Sequence, residues 1–224
     1  HNKDGLPKSA LEVVHTIFDK ANAEKNVNQL IKAAIHKLKY NQYLEEESYV
    51  TAIASLDSFT NVSKAPEKQI FHSMLAEFYW KYYSQNRWKF NQRTTTVNFE
   101  KGDIRTWSLA DIVEQVTANY KMSLTEKKIL QEYSSESFAL IQYPGTNTEG
   151  LRPTIYDFLG HRAIDFFKNT EPDITRPAYY FKLNDEKLFQ EGSKFIRLKL
   201  DSKDTSSNKL LALKTFQELT DFHL

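Results

Sequence analysis

Gln29-Leu30-Ile31-Lys32-Ala33-Ala34-Ile35-His36-Lys37-Leu38 and Gln69-Ile70-Phe71-His72-Ser73-Met74-Leu75-Ala76-Glu77-Phe78 overlay at an offset of 40 residues. Leu30 then pairs with Ile70, Ile31 with Phe71, Ala34 with Met74, Ile35 with Leu75 and Leu38 with Phe78. In both strings the apolar positions fall on one helical face. The segments just upstream align at an offset of 39 through Leu11 and Val50, Val14 and Ile53, and Ile17 and Leu56. Two helical hairpins sharing one period result. A period slightly above the roughly 34 residues of a tetratricopeptide unit is expected when two-helix units stack, because neither hairpin can bury its stripe alone. The spacing therefore predicts an all-α fold, with residues 1–100 forming hairpins stacked as a tetratricopeptide-like α/α superhelix.

Outward from these strings, the four helices run over about Lys8–Lys25, Val27–Leu44 and Glu46–Thr60, and from just after Pro66. His36 is expected on the polar side of the second. Most glycines and prolines fall between periodic segments, and only Gly160 lies inside one. Residues 101–224 read as further helices with long loops, packed with the first part as one domain. Ser108 caps a helix to about Met122, and a weaker segment runs through Ile129, Leu130, Phe138 and Leu140. Gln142 to Arg152 reads as a loop, Pro153 opens a helix to about Lys168, and Thr170 to Leu183 reads as irregular. Phe195 to Leu200 alternates briefly, so residues 195–200 form at most a short strand or extended segment. A last helix is capped near Asp204 or Thr205 and carries Leu210, Leu213, Phe216, Leu219 and Phe222.

Composition narrows the function classes. The chain of 224 residues has Lys+Arg 30 against Asp+Glu 29, so no global charge pulls it toward nucleic acid or anionic lipid. With Cys 0 there is no disulfide framework, thiol nucleophile or thiolate metal site. No apolar run approaches the ~20 residues that span a bilayer. The opening His1-Asn2-Lys3-Asp4-Gly5 reads as neither a signal peptide nor an initiation site, so the chain is expected to be an excerpt.

Three constellations carry chemistry-bearing side chains. His161 lies four residues from both Asp157 and Asp165, a column that could bind metal or do acid–base work. The apolar residues of that helix centre on the opposite side, which predicts a solvent-facing charge ladder. Arg162 falls inside the apolar arc, where an arginine needs a salt-bridge partner or must snorkel out. From Phe78 to Phe99 no acidic residue occurs, and the Trp80 to Arg93 stretch interleaves cations with aromatics in a way that could stack single-stranded bases. The same aromatics also continue a helical core stripe. No Gly-rich phosphate loop, His-Glu-x-x-His or Gly-x-Ser-x-Gly is present.

Several strings, in order from residue 5 to residue 224, carry a resemblance. They are Gly5-Leu6-Pro7-Lys8-Ser9-Ala10-Leu11-Glu12-Val13-Val14; Gln85-Asn86-Arg87-Trp88 with Arg93-Thr94; Arg152-Pro153-Thr154-Ile155-Tyr156-Asp157-Phe158-Leu159 with His161-Arg162-Ala163; Glu171-Pro172-Asp173-Ile174-Thr175-Arg176-Pro177-Ala178-Tyr179; and Phe222-His223-Leu224. Together they resemble the N-terminal region of large bacterial alpha-2-macroglobulin-like proteins. The resemblance implies an exported, periplasmic or cell-envelope chain that continues past Leu224 into macroglobulin domains. It also implies membrane attachment only through an anchor elsewhere in the parent. In that protease-inhibitor family a protease cuts a bait region and is trapped, often through a thioester that needs a cysteine. Without Cys, no thioester can lie in these residues, and no reactive residue carries over.

The expected function is a non-enzymatic scaffold or protein-docking domain, with no catalytic, metal or cofactor residues. Its partners would be the downstream macroglobulin domains and an unknown protein or protease, with no nucleic acid. Arg87, Trp88, Arg152, Tyr156, Asp157, His161 and Arg162 form the candidate docking or structural surface. The alternatives are a hydrolase or metal site around Asp157, His161 and Asp165 with the loop from Gln142 to Arg152, or single-stranded nucleic-acid binding by Trp80 to Arg93.

Overall fold

A computed structural model describes residues 6–44, 47–91, 102–139, 141, 150–171 and 179–224. Among these residues the fold is all-α, with ten α-helices, three 3-10 turns and no strand. The first four helices are α1 (Pro7–Ala23), α2 (Val27–Leu44), α3 (Ser48–Val62) and α4 (Glu67–Gln85). They match the segments read from the paired strings. Three residues join α1 to α2, and the two pack as one hairpin; α3 and α4 form the other.

The overlay is only partly mirrored in burial. Val14 and Ile53 are both buried, as are Ile31 and Phe71, but Ile17 is exposed where its counterpart Leu56 is fully buried. Position in the row explains the difference, because α3 has α2 on one side and α4 on the other, whereas α1 is the outer helix packed on α2. His36, expected on the polar side, is half-buried and stacks on Tyr40 at 6.1 Å between ring centroids.

Beyond α4 come α5 (Arg87–Asn91), α6 (Leu109–Ser123), α7 (Lys127–Glu132), α8 (Ile155–Phe167), α9 (Gly192–Phe195) and α10 (Asn208–His223). Ser108 begins α6 with a capping box shared with Asp111, the predicted start. Helix α8 starts at a second capping box, Thr154 with Asp157, one residue beyond Pro153. Its entry is pinned by backbone bonds from Ser135 N to Pro153 O (2.8 Å) and from Ile155 N to Tyr133 O (2.9 Å). Helix α10 is capped by Ser207, later than the expected Asp204 or Thr205. Asp204 instead accepts from the Phe181 backbone amide.

No strand forms over residues 195–200. Phe195 ends α9, and Gln217 Nε2 of α10 donates to the carbonyls of both Phe195 and Leu198, each at 2.8 Å. The chain turns there through Arg197 N to Lys194 O and Leu198 N to Phe195 O, and Gln217 holds two carbonyls of the turn.

A continuous buried cluster runs from Ile31 on α2 to Leu219 on α10, with α4 packed on α3, α6 and α8. At Gly160 the backbone of α8 comes so close to α10 that a Cβ would stand 3.1 Å from both Leu219 methyl carbons. On the α4–α6 seam, His72 Nδ1 donates to Asn119 Oδ1 (2.8 Å), while its Nε2 is buried and meets no partner among the described residues. Burial lowers the His72 pKa, outweighing the Asn119 bond, and the Lys68 charge adds to it.

A group whose folded pKa is depressed contributes stability above its ordinary value and loses it as pH falls toward the folded value. The expected result is a stability decline as pH drops below about 6.5, shallower in His72→Gln, measured by urea denaturation across that range. Equal slopes in the two proteins would contradict it.

Candidate functional site

Helix α8 gathers most of the singled-out side chains. Its capping box turns Asp157 inward, where Oδ2 accepts from Thr154 N (3.1 Å) and Thr154 Oγ1 (2.7 Å). Asp157 Oδ1 accepts from His223 Nε2 at 2.6 Å, which ties the start of α8 to the end of α10. Asp157 is only 2% exposed, and this corrects the solvent-facing ladder expected from the helical wheel. The wheel places apolar residues inward but cannot show that an N3 carboxylate folds back on its own cap.

The column from Asp157 through His161 to Asp165 does not assemble. His161 is half-buried, and its pKa is lowered by burial and then by Arg152. Asp165 is exposed and pairs with Lys168 at 3.1 Å. Among the described residues no group of three His, Cys, Asp or Glu side chains could hold a metal ion. Residues 142–149 of the loop in the alternative reading lie outside the described set.

Tyr156, buried beside Asp157, donates its hydroxyl to Glu218 Oε2 (3.1 Å) and meets the Phe222 ring edge-on at 6.0 Å. Burial and the Glu218 carboxylate raise its pKa, so the phenol stays a donor. Glu218 also pairs with Lys127 of α7 at 2.7 Å.

Arg162 has the partner its position demands. Nε donates to Ser73 Oγ (2.9 Å), and the Nη2 group pairs with Glu77, both on α4. Glu77 also meets Lys81 at 2.6 Å. Burial alone would raise the Glu77 pKa, but Arg162 and Lys81 outweigh it and hold the carboxyl below its ordinary value.

The Arg162–Glu77 pair separates two cavities. One, of about 290 Å³, lies between α2, α4 and α8; the other, of about 270 Å³, is lined by Trp80, Tyr120 and Asp165. Tyr120 is buried there, and its hydroxyl is pushed up to about 12.

Arg87 and Trp88 open the short α5. Arg87 pairs with Glu171 at 2.7 Å, and Tyr83 donates to the other oxygen of the same carboxylate (2.9 Å). Trp88 is 63% exposed, with Lys89 over its ring. Arg152 is exposed near the start of α8. Of the aromatic and basic stretch, Tyr79, Tyr82, Tyr83 and Phe90 are buried in the core, and Trp80 packs edge-on against Phe166 at 5.2 Å. The four buried rings are unavailable for stacking bases, whereas Trp80 is half-buried. Arg93 lies outside the described residues.

Sequence reasoning missed His223, Glu77, Glu218 and Glu171 as partners. Only His223 and Glu171 carried a signal, each standing in a string of the resemblance. No family model matches the chain, and no curated protein or solved structure matches it.

Proposed function

We propose that the chain is a non-enzymatic scaffold or protein-docking domain of an exported, cell-envelope alpha-2-macroglobulin-like protein. In this reading its hairpins α1–α2 and α3–α4 begin a tetratricopeptide-like superhelix. The observation that carries the reading is that strings of the resemblance far apart in sequence meet in the fold. Arg87 pairs with Glu171, Asp157 with His223, and Tyr156 with Phe222. Side chains that stand in the strings of the resemblance and also join distant parts of the fold support a structural joint rather than a reactive centre. The partners in this reading are the downstream macroglobulin domains and a protein or protease, without nucleic acid and with membrane attachment only through the parent chain.

An antibody raised against residues 6–224, used on fractionated source cells, tests the reading. The expected band lies in the envelope or periplasmic fraction on a chain much larger than 26.2 kDa. A cytoplasmic band at 26.2 kDa would overturn it.

A further inference from the structure

We propose that the cavity between α2, α4 and α8 binds a small amphipathic anion, a carboxylate bearing a medium-length alkyl or aryl group. Its walls are apolar, with Ile35 and Leu38 from α2, Ile70 and Met74 from α4, and Phe158 from α8. Its rim is cationic, since Lys39, Lys81 and Arg162 line it against the single carboxylate of Glu77. Glu77 neutralises one of those charges, so positive charge is left facing an apolar space. An anion with an apolar body complements both features.

The geometry also orients the ligand. Arg162 is held by Ser73 and Glu77 through Nε and Nη2, and its guanidinium lies over the Phe158 ring at 5.6 Å. Both bonds fix the guanidinium against α4, at the wall that the two cavities share. Beyond the ion pair, Asp165 lines the second cavity and repels a carboxylate. The head group therefore settles on the side of Lys39 and Lys81, and the tail runs between Ile70 and Phe158. At about 290 Å³ the space sits near the ~300 Å³ lower bound of ligand pockets. A helix with side chains, ~10–12 Å across, does not fit.

Isothermal titration of the intact chain with sodium decanoate tests the proposal, with decanol and decyltrimethylammonium as matched-tail probes. Saturable binding of one decanoate per chain is expected, at least about tenfold tighter than either control. Lys39 is exposed, so Lys39→Glu should fold normally and weaken decanoate several-fold. Met74→Trp should fill the cavity and abolish binding, with circular dichroism confirming that the variant is folded. The proposal is overturned by an absence of saturable heat, by equal affinity for the cationic or neutral probe, or by unchanged affinity in Lys39→Glu.

Discussion

Phe71→Ala is expected to lower the unfolding free energy by about 3–5 kcal/mol, the range for truncating a large buried aromatic. Phe71 is 1% exposed, and its ring lies against Phe59 at 5.3 Å. It belongs to α4, the helix packed on α3, α6 and α8, so surrounding elements cannot collapse into the void without breaking other contacts. For a chain of this size the melting temperature should fall on the order of 10 °C. Thermal denaturation followed at 222 nm reads the shift. A loss below about 1 kcal/mol would mean that α4 is not central to the core.

Arg162→Met is expected to cost about 1–3 kcal/mol, between the value of an exposed pair and that of a fully buried one, because both partners keep some solvent contact. The loss comes from Glu77, which would remain half-buried with Lys81 as its remaining ionic partner. Adding Glu77→Leu should restore much of the stability, since two apolar side chains remove the unpaired charge.

A pH signature separates this from simple loss of packing. The folded Glu77 pKa lies below its ordinary 4.5, so its contribution is present above that value and is lost as pH falls below it. That part of the acid limb should shrink in Arg162→Met. Urea denaturation between pH 3 and 7 would show it, and a variant indistinguishable from the wild type at pH 7 would contradict the assigned pairing.

Helix positions were readable because an amphipathic stripe and a cap are local properties, and α1 to α4, α6 and α8 follow from them. Which face ends deepest was less readable. Ile17 and Leu56 align at the offset of 39 residues, yet only the second is buried, because burial depends on which helix lies alongside. The Phe195 to Leu200 stretch alternates like a strand, but it turns on its own backbone bonds and is held by Gln217 through the carbonyls of Phe195 and Leu198.

The candidate site shows the same limit. The need of Arg162 for a partner was legible from its place in the apolar arc, whereas Glu77 as that partner was not, because the pair joins two helices through residues 85 positions apart. Asp157 was misplaced for a local reason. As the third residue of α8 it serves the helix cap, and this draws the carboxylate under Thr154 toward His223.

Of the column Asp157, His161 and Asp165, Asp157 is the buried member, and its contact with His223 makes it a joint between α8 and α10. A double-mutant cycle with Asp157→Asn and His223→Gln, read by urea denaturation at pH 6, measures the strength of that joint. A coupling energy of about 1–2 kcal/mol is predicted, the scale of a hydrogen bond to a buried carboxylate from a partly exposed partner. Additivity of the two substitutions within about 0.3 kcal/mol would mean that Asp157 and His223 do not join the helices.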